Sequence, residues 1–193
     1  MTTQIPAGYH YGSTSPSPVS TDELAALEAS LLFTPEDVEA LQLTGDVLED
    51  QIDDVLDVWY GFVASHPYLV AYFATPKGVV LEEYLARVRA RFGQWILDTC
   101  RRPHDADWLA YAHEIGVRHT YEGKNRTDGV GSVPHIPLRY MVAFIYPITA
   151  TMRPYLAKAG HGDADIERMH QAWFKAVTLQ VALWLRAYTA DRW

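Results

Sequence analysis

The sequence predicts an all-α domain of about seven or eight helices from three observations. Apolar residues recur at three- and four-residue steps from residue 20 onward. No segment sustains the alternation of a strand. Capping residues, prolines and glycines punctuate the apolar stripes at helix-like intervals. With 193 residues, 49% of them hydrophobic, the chain is long enough for one sizeable core.

Residues 1–19 hold three of the eleven prolines and the run Gly8-Tyr9-His10-Tyr11-Gly12, and they read as an irregular arm. Residues 20–193 read as a single domain. Ser20 with Glu23 forms a capping box that opens a short helix to about Leu32. Thr34-Pro35-Glu36-Asp37 starts another. A long helix is expected from Asp46 to Ser65, with Leu48, Ile52, Val55, Trp59 and Phe62 on one face and Leu56, Tyr60 and Val63 beside it. His66-Pro67 ends it, and a short aromatic segment, Tyr68 to Phe73, leads into a turn at Pro76-Lys77-Gly78.

The next long helix is expected from Val80 to Thr99, with the stripe Leu81, Leu85, Val88, Phe92, Trp95 and Ile96. Arg87, Arg89 and Arg91 fall off the centre of that stripe. Asp105 can cap a helix from Ala106 to Tyr121, and Glu122 to Pro134 reads as a long loop. One helix from Pro137 to Lys158 should be kinked by Pro147 and Pro154. Asp163 opens the final helix, which runs to Tyr188 on the stripe Ile166, Met169, Trp173, Val177, Val181, Trp184 and Tyr188.

Composition narrows the function classes. The net charge of −8 disfavours general nucleic-acid binding. No apolar run reaches the ~18–20 residues of a membrane span. The first residues have neither the basic nor the apolar region of a secretory signal, so the expected location is cytoplasmic. The single cysteine, Cys100, excludes an intrachain disulfide and a multi-cysteine metal site.

Chemistry is sought where a polar residue occupies an apolar position. With Trp108 as zero and ~100° per residue, Ala112 lies at about 40°, Ile115 at about −20° and His119 at about 20°, whereas His113 lies at about 140°. His119 therefore points inward. A core histidine satisfied by its neighbours and a metal ligand both fit this placement. No other ligand set accompanies it, and one protein ligand among many aromatics suits haem with a proximal His. Tyr60, on the flank of the Trp59 stripe, is either a boundary tyrosine with a wet hydroxyl or a pocket residue. Phe92, Trp95, Phe144 and Ile148 read as core by pattern alone. No Gly-x-Ser-x-Gly supports a hydrolase, and Glu49, Asp50, Asp53 and Asp54 read as a solvated face.

Several segments carry a family resemblance: Asp57-Val58-Trp59-Tyr60-Gly61-Phe62-Val63, Arg89-Ala90-Arg91-Phe92, Gly116-Val117-Arg118-His119, Ala143-Phe144-Ile145-Tyr146-Pro147-Ile148-Thr149-Ala150-Thr151-Met152, and Ala172-Trp173-Phe174-Lys175 through Trp184. With these blocks the chain resembles the protoglobins, single-domain relatives of the sensor globins. The resemblance implies a globin fold enlarged by an N-terminal helix and arm, with buried haem b. His119 would be the proximal ligand and Tyr60 the distal residue. Trp59, Phe92, Phe144 and Ile148 would line the distal space, and Ile115 and Met141 would also contact the cofactor. It further implies homodimers through the last two long helices and binding of dioxygen, carbon monoxide and nitric oxide. Family members often carry a second His after the proximal one; here Thr120 stands there.

The leading expectation is a gas-binding haem protein. A haem-dependent enzyme of peroxide, nitrite or carbene-transfer type is the alternative on the same scaffold. A haem-free helical sensor or interaction module is the third, and the apolar placement of His119 argues against it.

Overall fold

The computed structural model describes residues 5–189. Among these, nine helices follow in order: α1 (Thr21–Ser30), α2 (Pro35–Leu48), α3 (Ile52–Ala64), α4 (Pro67–Val70), α5 (Glu82–Arg101), α6 (Ala106–Val117), α7 (Leu138–Ala143), α8 (Ile145–Leu156) and α9 (Asp163–Tyr188). The only β pairing among the described residues is an isolated bridge between Ala74 and Val80.

The capping box at α1 forms as read. The Ser20 hydroxyl accepts from the Glu23 N–H, and the Glu23 carboxylate accepts from the Ser20 N–H. At α2 the Asp37 carboxylate takes the Thr34 N–H at 2.8 Å. Helix α9 has the bounds the sequence predicts and is the spine of the molecule, packed on α2, α6 and α8. Its Trp173, Met169, Ala172 and Leu179 are fully buried. The main core gathers α2, α5, α8 and α9 around Trp173. A satellite core joins Trp108, Leu109 and Ala112 of α6 to Leu24 of α1 and Leu183 of α9. A third, around Trp59, Val63 and Leu69, borders a cavity.

Three boundaries depart from the sequence reading. The expected Asp46–Ser65 helix is two, because α2 runs on to Leu48 and a 3₁₀ turn, Glu49–Gln51, separates it from α3. The Gln51 side-chain amide donates to the Val47 carbonyl at 2.7 Å, an acceptor that an unbroken α-helix would give to the Gln51 backbone. The expected Pro137–Lys158 helix divides into α7 and α8 at Phe144. Pro147 has no N–H for the carbonyl of Ala143, the last residue of α7, so the ladder breaks there. Pro154 is carried inside α8. Finally, α6 stops at Val117 rather than Tyr121, which places His119 beyond the helix.

Residues 5–19 contain no helix, and they lie against α5 and α6. The Tyr9 hydroxyl donates to Asp98, Tyr9 and Tyr11 both meet the Tyr111 ring edge-on, and the Arg102 guanidinium lies 4.0 Å over Tyr11. Backbone carbonyls of Ala7 and Gly8 accept from Arg91 and Arg118. Gly8 turns with φ +78°, and a methyl group there would come within 2.7 Å of Arg91 and Thr127.

Candidate functional site

A cavity of about 230 Å³ opens between α3, α5, the end of α6, α7, α8 and α9. Every residue that the resemblance assigns to the cofactor site lines it: Trp59, Tyr60, Phe92, Ile115, His119, Met141, Phe144 and Ile148.

The His119 wall is built by the way α6 ends. The His119 N–H bonds the Gly116 carbonyl, tightening the last turn to 3₁₀ and leaving the Ile115 carbonyl to the imidazole. His119 Nδ1 lies 2.7 Å from that carbonyl. A carbonyl can only accept, so Nδ1 carries the hydrogen and Nε2 keeps its lone pair. The ring stacks on Trp184, with centres 5.8 Å apart and planes 19° off parallel. The His119 carbonyl receives the Ile136 N–H and the Tyr188 hydroxyl. Burial pushes the imidazole pKa down to about 4, opposed by the hydrogen bond to Ile115 and reinforced by Lys124 and Arg118. The ring is thus neutral, as a metal ligand must be. The close approach of α6 to α9 requires Gly116: a methyl group there would stand 2.9 Å from the Trp184 Cα and carbonyl oxygen.

The facing wall is aromatic. Trp59 meets Phe92 and Phe144 edge-on at 5.9 and 5.4 Å. Tyr60 packs on Phe73, and its hydroxyl has no hydrogen-bond partner among the described residues. Burial raises its pKa beyond the ordinary phenol range, so the hydroxyl keeps its proton as a donor.

Charged residues complete the lining, and the sequence reading missed them. Arg91 binds Asp128 through two nitrogens, and Arg87 approaches the same carboxylate at 3.4 Å. Arg118 pairs with Glu114 at 2.9 Å. Lys124, 4% exposed, donates to the Tyr72 carbonyl, the Ser132 hydroxyl and the Tyr84 hydroxyl, with no carboxylate partner among the described residues. Its burial draws the ammonium pKa down to about 8. Arg91 fell off the apolar stripe and Lys124 in a polar loop, so periodicity carried no signal for either. Tyr84 and Tyr111, also in the lining, had no signal beyond being aromatic.

The residues fit haem on two counts. A neutral imidazole with a free Nε2 forms part of an aromatic-lined wall. In the lining the cations Arg91, Arg118 and Lys124 exceed the carboxylate Asp128 by two charges, the charge of two propionates. No group of three or more His, Cys, Asp and Glu among the described residues is placed to hold a bare metal ion. Among those residues, too, no helix is long and apolar enough to cross a membrane.

Comparison with known proteins agrees with this geometry. The structure is similar to the globin domain of the Geobacter sulfurreducens globin-coupled sensor, with a TM-score of 0.64 at 14% identity, over 85% of this chain and 96% of that one. At that identity the likeness shows the globin fold. No curated protein sequence matches the chain. The Protoglobin family model matches residues 20–193, nearly the whole chain beyond the arm. The chain belongs to the protoglobin family and is a globin-type haem protein.

Proposed function

We propose that the cavity holds haem b with His119 Nε2 as its axial ligand, and that the protein reversibly binds dioxygen, carbon monoxide and nitric oxide. The observation that carries this is the neutral, oriented His119 imidazole in the cavity wall. When bound, haem supplies an iron with one open coordination position. Ile115 and Met141 pack against the cofactor. Trp59, Phe92, Phe144 and Ile148 exclude water from the gas space. Tyr60 donates a hydrogen bond into it, and dioxygen, polarised toward negative charge in such a site, gains more from that donor than carbon monoxide does. Arg91, Arg118 and Lys124 face the propionates.

A homodimer through α8 and α9 belongs to the same reading. Tyr146 on α8 and Phe174 on α9 are large apolar groups left exposed, at 79% and 43%. The same reading takes residues 20–193 as the globin domain and residues 1–19 as an N-terminal arm, of which residues 5–19 lie against α5 and α6, in a cytoplasmic protein.

Absorption spectra of the purified protein test the reading. A Soret band that moves on reduction and again on addition of carbon monoxide is expected, and its absence after reconstitution with haemin overturns it. Light scattering at twice the 21.8 kDa chain mass is expected for the dimer.

A further inference from the structure

We propose that the Tyr9–Asp98 pair is a remote oxidation site, where oxidising equivalents from peroxide leave the cavity and reach a one-electron donor at the surface. The inference rests on the haem reading. Tyr111 lines the cavity, and its ring lies 5.1 Å from that of Tyr9, which is half-buried in the arm. Tyr9 is the only tyrosine among the described residues whose hydroxyl donates to a carboxylate.

That partner decides where an electron is lost. A phenol gives up an electron readily only if its proton can move to a base. Among the described residues Tyr60 and Tyr111 have no hydrogen-bond acceptor for theirs, and the Tyr84 hydroxyl faces the Lys124 ammonium with no carboxylate to take its proton. Tyr9 also has a cation beside it, Arg102, which donates to its hydroxyl at 3.3 Å and pairs with Asp98 at 3.2 Å, but the carboxylate is there to accept the proton. The Trp184 indole N–H has no partner among the described residues, and that of Trp95 meets the Gln180 amide oxygen, which is not a base. Oxidising either tryptophan would leave a positive charge in the apolar core, at a high cost. Oxidising Tyr9 leaves none there.

The step balances. Hydrogen peroxide takes up two electrons, and two protons from solvent, and leaves as water. One electron comes from the haem and the other from the Tyr9 ring by way of Tyr111. The Tyr9 hydroxyl proton passes to Asp98 Oδ2, giving a neutral phenoxyl radical beside a neutral carboxylic acid. A solution donor of the ascorbate class returns one electron to Tyr9, with Asp98 returning the proton, and supplies a second electron that restores the one the haem gave, so two donor electrons are consumed for each peroxide reduced to two waters.

Freeze-quenched electron paramagnetic resonance of the ferric haem-loaded protein, mixed with hydrogen peroxide, tests the site. The expected result is a tyrosyl signal that Tyr9→Phe and Asp98→Asn abolish and Tyr11→Phe retains. Peroxide-dependent ascorbate oxidation is expected to fall about tenfold or more in Tyr9→Phe. Tyr9→Phe keeps the ring contacts with Tyr111, and a Soret band and melting curve matching the parent confirm that it folds. An undiminished signal in Tyr9→Phe, or a parent protein yielding only tryptophan radicals or none, overturns the proposal. A failure of the haem reading shows earlier, as a missing Soret band before peroxide is added, and takes the proposal with it.

Discussion

The two walls of the cavity are built on opposite plans. On the His119 wall the histidine is fixed by its neighbours: Nδ1 has the Ile115 carbonyl, the His119 carbonyl has Ile136 and Tyr188, and the ring has Trp184, while Nε2 keeps its lone pair. On the facing wall the Tyr60 hydroxyl has no hydrogen-bond partner among the described residues, and its ring is held by packing and by the Arg89 guanidinium 5.7 Å over its centre. A group that must hold a ligand permanently is oriented by a surrounding layer of hydrogen bonds. A group that must meet a transient ligand keeps a donor free.

That contrast can be broken from either side. His119→Ala should have the largest effect, loss of stable haem binding seen as loss of the Soret band, with rescue by added imidazole. His113→Ala should bind haem normally. Retention of haem by the first variant and loss by the second would reverse the assignment of the two histidines.

On the other wall, Tyr60→Phe would remove the hydrogen bond proposed for bound dioxygen, of about 1–3 kcal/mol, which should speed dioxygen dissociation roughly 5- to 150-fold. Carbon monoxide should respond much less. Equal changes for both gases in flash photolysis would mean that Tyr60 acts by bulk rather than by its hydroxyl.

Gly116→Ala sharpens the comparison on the rigid wall. The new methyl group meets Trp184 backbone atoms that cannot rotate away, so a loss of about 2 kcal/mol in denaturant unfolding is expected. The same substitution at Gly61 on α3, where nothing lies within 4 Å, should be neutral or slightly stabilising.

The smallest effect is a pH dependence. The folded state lowers the Lys124 pKa from 10.5 to about 8, so between those values the unfolded chain holds more protons. The Lys124 contribution to stability should therefore rise with pH through this window, by about 1–2 kcal/mol from pH 8 to 10, while the buried Cys100 thiol and the tyrosines whose pKa burial raises act in the opposite direction. The stability difference between the parent and Lys124→Met should shift in the parent's favour as pH rises. Equal slopes would show that the ammonium is not held away from water.

Much of the site was legible because helical phase survives small errors of boundary. His119 was placed inward from its register with Trp108 and Ile115, and it points inward although α6 ends two residues earlier. The 3₁₀ turn from Gly116 continues the right-handed spiral closely enough to keep its direction. Trp108 and Ala112 share that face yet pack on α1 and α9, away from the cavity, so the stripe told which side was buried without telling against what. The breaks at Gln51 and Phe144 depended on which acceptor a side-chain amide takes and which carbonyl a proline orphans.

The sequence by itself determined the helices, the α1 cap, the full length of α9 and the inward histidine. All of these follow from spacing within a few turns of chain, where periodicity records the direction of burial. Tertiary structure alone decided the histidine tautomer, the engagement of Asp128 by two arginines, the burial of Lys124 among neutral oxygens and the docking of the arm. Arg91 reaches the Ala7 carbonyl across 84 positions and Arg118 the Gly8 carbonyl across 110. Partners so far apart leave no periodic trace, because charge is compensated by whatever the fold brings near, not by what lies next in the chain.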